Sequence, residues 1–77
     1  MIKIVEKGEH KPRMADGVLY ITVQGESPAE LNSLGAKKAA YDERFKHGLG
    51  VAGVEAWTGS FLAGKVYLRT FRLVPGL

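Results

Sequence analysis

The sequence predicts an α+β domain in which a single helix packs on a mostly antiparallel four-stranded sheet, in the order ββαββ. Residues 18–24 alternate apolar and polar side chains, the pattern of a strand with one buried face. Residues 27–48 combine a helix-start signal, helical spacing of apolar side chains and a helix-stop signal. Residues 51–74 are rich in β-branched and aromatic residues and contain two candidate turns, either of which could connect two further strands.

The amino-acid composition limits the classes of protein to which this chain can belong. With 45% apolar and 25% charged residues, the 77 residues are expected to form one globular domain, 1–77, with a thin core. The absence of cysteine excludes disulfides and thiolate metal sites. A net charge of +3 mildly favours the binding of polyanions or of acidic protein surfaces. We find no apolar run that suits a signal peptide or a bilayer span, so we expect a cytoplasmic location and no membrane partner.

The N-terminal part predicts a short strand followed by a basic loop. Residues 2–6 are rich in β-branched residues, and Ile2 and Ile4 can share one face of a strand. Residues 7–17 contain glycine and proline and form the loop. Its basic or potentially basic side chains are Lys7, His10, Lys11 and Arg13. A solvated connection and a flexible finger that contacts phosphates both fit this loop.

The second strand is the clearest in the sequence. It follows the turn dipeptide Asp16–Gly17. One face of residues 18–24 carries Leu19, Ile21 and Val23, and the other carries Tyr20, Thr22 and Gln24. The first set is expected to be buried under the helix.

The helix is predicted to begin at Ser27, which with Glu30 fits a capping box, and Pro28 occupies the first helical position. It is predicted to end at Gly48, with Gly35 as its weakest point. Its apolar stripe is formed by Leu31, Leu34, Tyr41 and Phe45. The predicted core consists of Leu19, Ile21, Val23, Leu34, Tyr41, Phe45 and Val54.

Lys38 lies inside this apolar stripe, and two interpretations of it are open. Its methylenes can cover the core while the ammonium reaches Asp42, four residues later. Alternatively, Lys38 anchors a phosphate or an acidic partner. Lys37 and Arg44, seven residues apart on one helix flank, would add to such a basic surface.

Two turns compete in the C-terminal part. A turn at Gly59–Ser60 with a bulge at Gly64 pairs Val54 with Val66 and points Tyr67, Arg69 and Phe71 away from the helix. A turn at Ala63–Gly64 pairs Val54 and Ala56 with Leu73 and Phe71 and points the aromatic side chains inward. With Trp57, an outward arrangement would form an aromatic and arginine face able to stack on unpaired bases or to bind a protein. An inward arrangement would place these side chains in the core.

Catalysis is not indicated. The serines lack a histidine partner or nucleophile elbow, and His10 and His47 lack metal-ligand spacing. Gly48, Gly50 and Gly53 form a GxGxxG pattern, but it follows a helix and enters a strand, the reverse of a dinucleotide site. We therefore expect a protein that is not an enzyme and uses no cofactor or metal.

The stretches ITVQGESPAEL, KKAAYDERFKHG and VEAWTG give a strand, a lysine-bearing helix that ends in His-Gly and a returning strand. This arrangement, over about half of the chain, resembles small phage-encoded anti-CRISPR proteins. The resemblance implies a stoichiometric inhibitor in which Lys37, Lys38 and Arg44 mimic or block a nucleic-acid contact.

Two functional hypotheses follow. The first is a small non-enzymatic binding module, a phage-type inhibitor that occupies a nucleic-acid-handling surface of a larger protein or ribonucleoprotein complex. The alternative is a domain that binds nucleic acid directly through the basic loop and the helix flank. The candidate binding residues are Lys11, Arg13, Lys37, Lys38, Arg44, Tyr67 and Arg69.

Overall fold

The computed structural model describes residues 1–76 and confirms an α+β fold. In these residues the elements are β1 (Lys3–Ile4), β2 (Arg13–Ala15), β3 (Val18–Gly25), α1 (Pro28–Leu31), α2 (Leu34–Asp42), β4 (Ala52–Ala56), β5 (Phe61–Ala63) and β6 (Val66–Pro75). Short 3₁₀ turns cover Gly8–His10 and Glu43–His47. The prediction of four strands in ββαββ order is wrong, because six antiparallel strands are present.

These six strands nevertheless occupy four positions in the sheet. β3 and β6 pair with each other at the centre. β1 and β2 both pair with β3 along its outer side, and β4 and β5 both pair with β6 along its outer side. Each outer position is therefore one predicted strand position that is split in two. β2 was not predicted, because residues 7–17 were expected to form a single loop.

The turn dipeptide Asp16–Gly17 closes a tight hairpin between β2 and β3. Asp16 has φ 53° and Gly17 has φ 78°, and Ala15 pairs with Val18 across the two-residue loop. Positive φ at both central residues is the geometry of a type I′ turn, which follows the twist of the strands it joins. The dipeptide was identified correctly as a turn, although the strand before it was not.

The register of the C-terminal strands matches the second of the two predicted arrangements. Val54 pairs with Leu73 and Ala56 with Phe71, while Ala63 pairs with Val66. Side chains alternate along β6, so Tyr67, Arg69, Phe71 and Leu73 lie on the side of the sheet that the helices cover. The outward arrangement of Tyr67, Arg69 and Phe71 is wrong.

The predicted long helix is broken after its first turn. α1 begins as predicted, since the Glu30 N–H donates to the Ser27 hydroxyl at 3.2 Å. Ser33 then caps a second helix: its hydroxyl accepts from the Ala36 N–H at 3.2 Å and donates to the Glu30 carbonyl at 2.6 Å. The break therefore falls before Gly35, the position predicted to be weakest.

The break changes which face of the helical segment is buried. Leu31, Ala36 and Ala40 are fully buried against the sheet. Leu34 and Phe45, predicted as core residues, are 84% and 67% exposed. Three residues predicted for the core are buried there: Leu19, Ile21 and Val23. Ala52, Phe71 and Leu73 complete the core. The other two predicted core residues, Tyr41 and Val54, are only partly buried against it. The alanines allow α2 to lie close to the sheet.

Candidate functional site

The sheet has one face without a helix over it in residues 1–76, which we call the open face. Side chains alternate along each strand, so the residues between the core residues point to this face; they include Tyr20, Thr22, Thr70 and Arg72. Both helices pack on the other face, against Ile21 and its neighbours. The open face is therefore free of helix packing in residues 1–76.

A bulge between β4 and β5 shapes the open face. From the Ala56–Phe71 pair to the Phe61–Leu68 pair, the outer chain uses four residues where β6 uses two. The N–H groups of Trp57 and Thr58 both donate to the Thr70 carbonyl, at 2.8 and 3.1 Å. Two successive N–H groups that donate to one carbonyl are characteristic of a β-bulge, which bends the outer strand and changes the direction of its side chains.

Hydroxyl groups fix the floor beneath this bulge. The Thr22 and Thr70 hydroxyl oxygens are 2.8 Å apart across the central strands. The Thr58 hydroxyl accepts from the Thr70 N–H at 3.0 Å. Thr22 is only 3% exposed, so this polar floor is satisfied internally and rigid.

Four rings in two pairs surround a concavity of about 180 Å³ above this floor. Tyr20 and Trp57 meet edge to face, with ring centroids 5.6 Å apart. His10 and Phe61 form the second pair, also at 5.6 Å. Trp57 remains 51% exposed, so a ligand can still reach its indole. We call this concavity the aromatic pocket; it is lined by Glu9, His10, Lys11, Arg13, Tyr20, Thr22, Trp57, Thr58, Phe61 and Thr70.

Cations adjoin the aromatic rings. The Arg13 guanidinium lies 4.5 Å from the centroid of Tyr20, and that of Arg72 lies 4.7 Å from Trp57. Arg72 also bonds to Glu55, and this hydrogen bond, more than any other contact, raises the pKa of Arg72. Among residues 1–76, Lys11 and Arg13 form no ion pair. These two cations therefore have no carboxylate within ion-pair distance in the described chain, although Glu9 lines the same concavity.

A second concave surface lies on the helix side, between α2 and β4, and we call it the edge groove. It consists of two hollows of about 270 and 390 Å³ that share Leu34 and Lys37. Lys38 and Tyr41 line one hollow with Val54, and Arg69 lines the other with Ala56. Lys38 and Asp42 form the predicted ion pair at 2.9 Å, and the Lys38 side chain is 75% exposed.

The structure thus distributes the seven predicted binding residues over different places. Lys11 and Arg13 line the aromatic pocket, whereas Lys37, Lys38 and Arg69 line the edge groove. Tyr67 packs against the core.

Arg44 lies in neither surface. Its guanidinium is 3.7 Å from the Tyr41 ring centroid and 4.0 Å from that of Phe45. It donates to the Tyr41 carbonyl at 3.1 Å, and its side chain is 14% exposed. This arginine stabilises the end of the helical segment and offers little charge to a partner.

Three residues of the open face, Tyr20, Phe61 and Arg72, were not predicted as binding residues. Alternation within residues 18–24 had already placed Tyr20 opposite the buried side chains, so that signal was present. Phe61 and Arg72 depend on the register of β6 and on the bulge at Trp57, which no local pattern specifies.

Comparison of the chain with known protein families, with curated proteins and with solved structures found no match. None of the helices in residues 1–76 has the length and apolar character needed to cross a bilayer.

Proposed function

We propose that this protein is a non-enzymatic binding module whose aromatic pocket binds single-stranded nucleic acid. The proposal rests on one observation: four rings converge on a single concavity of the open face with Lys11 and Arg13, two cations that form no ion pair in residues 1–76. Rings favour planar bases, and the cations favour phosphates.

The geometry favours unpaired bases over a duplex. A base must present its flat face to stack on Trp57, which is half exposed, and base faces are hidden inside a double helix. Backbone phosphates beside a stacked base would then lie near Arg13, which already sits over Tyr20. Such a site is tolerant of sequence, because every base has a π-face.

A labelled oligothymidylate and a duplex of equal length, titrated at low and near-physiological salt, test this proposal. Single strands should bind more tightly than the duplex and quench the fluorescence of Trp57, the only tryptophan of the chain. Trp57→Ala should cost about 1–3 kcal/mol of binding free energy, and Trp57→Phe should restore most of it.

The charge contribution is tested by Arg13→Gln. Loss of one phosphate contact should lower the log–log salt slope by about 0.7. Lys38→Gln is the matched control, because Lys38 lies on the helix side and pairs with Asp42. Equal affinity for duplex and single strand, or an unchanged affinity of Trp57→Ala, would contradict the proposal.

A second candidate is the phage-type inhibitor that binds a larger protein or ribonucleoprotein complex. It is supported by the edge groove, where Lys37 and Lys38 flank the exposed Leu34. Apolar and cationic side chains together suit a protein surface with acidic residues. In this hypothesis Arg44 stabilises the helical segment, and Lys37 and Lys38 make the contacts with the partner.

A further inference from the structure

The outer edge of β4 presents backbone groups without a partner strand in residues 1–76. The Trp57 N–H donates to Thr70 and the Gly76 N–H donates to Val51, so odd-numbered residues of this strand direct their backbone groups toward β6. Backbone groups alternate in an antiparallel strand, and those of Ala52, Val54 and Ala56 therefore point outward. Three residues offer donors and acceptors to an added strand.

β4 has few of the devices that normally protect an edge, since its one charged residue, Glu55, pairs with Arg72 on the open face and the bulge begins only after the strand, at Trp57. The strand, AGVEA, contains no lysine, proline or internal bulge. Gly53 has open space where a Cβ would stand. A second chain can therefore approach the backbone of β4 closely.

The edge groove lies beside this edge, on the helix side. The side chains of Val54 and Ala56 line it from the strand, and Leu34 and Tyr41 line it from α2. Leu34 is 84% exposed, although it is a large apolar residue at the start of a helix. An added strand would direct every second side chain toward this apolar groove.

The charges of the groove are all positive. Lys37, Lys38 and Arg69 line its two hollows, and no aspartate or glutamate does. Lys37 forms no ion pair with residues 1–76, whereas Lys38 pairs with Asp42. Arg69 donates to the Thr58 and Leu31 carbonyls rather than to a carboxylate. A carboxylate beside Lys37 would complement this surface.

We propose that β4 binds an extended, acidic segment of a partner protein as an added strand. One apolar side chain of that segment fills the groove beside Leu34, and a carboxylate two residues away meets Lys37. The inference does not depend on nucleic-acid binding, since the edge groove and the aromatic pocket share no lining residue. A second copy of this chain is disfavoured as the occupant, because pairing two β4 edges would bring the Lys37 and Lys38 side chains of the two α2 helices toward each other.

The probe is a phage-displayed library of random extended peptides, selected on the intact protein. Selected peptides should alternate apolar and acidic residues on one face of a strand. Selection of no peptide, or of peptides without acidic residues, would overturn the proposal. Dimerisation of the free protein that Ala56→Pro abolishes would identify a second copy as the occupant and would also overturn it.

Variants then locate the bound peptide. Ala56→Pro removes an outward N–H and no bond to β6, and proline is tolerated at such edge positions. Ala56→Pro and Lys37→Glu should each weaken a selected peptide by about tenfold or more. Lys65→Glu, an equal charge change in the turn before β6, is the matched control and should leave affinity unchanged. Equal binding by Ala56→Pro and the native protein would contradict strand addition.

Discussion

At the scale of single residues, Gly25 at the end of β3 lies directly against side chains of α1. A Cβ built there would lie 2.9 Å from both Glu30 Oε1 and Leu31 Cδ2. Leu31 is fully buried and Glu30 is held by a hydrogen bond, so neither can move freely. Gly25→Ala is therefore expected to destabilise the fold by about 1–3 kcal/mol through overpacking, measured by urea unfolding.

Gly53→Ala is the control for this prediction, because nothing lies within 4 Å of the corresponding Cβ and Gly53 does not have positive φ. Its effect should stay within about 0.5 kcal/mol. Equal losses at the two glycines would contradict a role for close approach between Gly25 and α1.

Glu30 makes the stability of the chain depend on pH. The Glu26 N–H donates to its Oε1 at 2.8 Å, and the N-terminal ammonium lies 3.2 Å from its Oε2. The Glu26 hydrogen bond first, and then the ammonium, lower the pKa of Glu30 below its ordinary value of 4.5. A lowered folded-state pKa stabilises the fold above the unfolded pKa, and this stabilisation is lost as pH falls through the folded value.

The expected outcome is a difference in unfolding free energy between the native protein and Glu30→Gln that is largest above about pH 5 and shrinks below about pH 4. Urea unfolding curves collected across this range measure it. A difference that stays constant with pH would show that Glu30 acts through hydrogen bonding alone, without its charge.

At the scale of elements, the break between α1 and α2 determines the buried face of the helical segment. Ser33 supports the break by capping α2 through the Ala36 N–H. Loss of a serine N-cap costs about 1 kcal/mol. Ser33→Ala should therefore lower the free energy of unfolding by about this amount, measured by thermal or urea unfolding.

Ser60→Ala provides the same chemical change at a hydroxyl that is buried but has no hydrogen-bond partner in residues 1–76. It should be neutral or slightly stabilising, because no hydrogen bond is lost. A loss at Ser60 as large as at Ser33 would contradict the capping role.

The same element shows how far local patterns predict this fold. Alternation correctly assigned Leu19, Ile21 and Val23 to the core, because a strand has a fixed period of two. The helical stripe was wrong for Leu34 and Phe45, because it assumed one continuous helix and the break at Ser33 changes the phase. The capping signal of Ser33 was present in the sequence, but the stronger signal at Ser27 concealed it.

The candidate site was less predictable than the core. Lys11 and Arg13 could be singled out because they lie in a basic loop. Their proximity to Trp57 and Phe61 depends on the pairing of β3 with β6, which are far apart in the chain, and on the two-residue bulge between β4 and β5. Such long-range register is set by packing of the whole sheet, which local patterns do not contain.

At the scale of the whole molecule, the sheet separates the two proposed binding surfaces. The aromatic pocket lies on the open face, and the edge groove lies on the helix side. The shortest extent of the molecule is 18 Å, so both surfaces belong to a single thin body. A ligand on one surface does not block the other sterically.

One side chain connects the two surfaces. Arg69 lines the edge groove, and its Nε donates at 3.1 Å to the carbonyl of Thr58, which lines the aromatic pocket. Its guanidinium also bonds to the Leu31 carbonyl and to Asn32. These bonds can persist when a carboxylate binds Lys37, so neither ligand needs to change the other surface.

We therefore expect the two surfaces to bind independently. A saturating concentration of a selected acidic peptide should change the affinity for single-stranded oligothymidylate by less than about threefold, because ligands couple only through a difference in the states they favour. Trp57 fluorescence titrations with and without the peptide measure this factor. Stronger coupling would contradict independence. Arg69→Lys keeps the positive charge but not the forked hydrogen bonds, so loss of that coupling in this variant would assign it to Arg69.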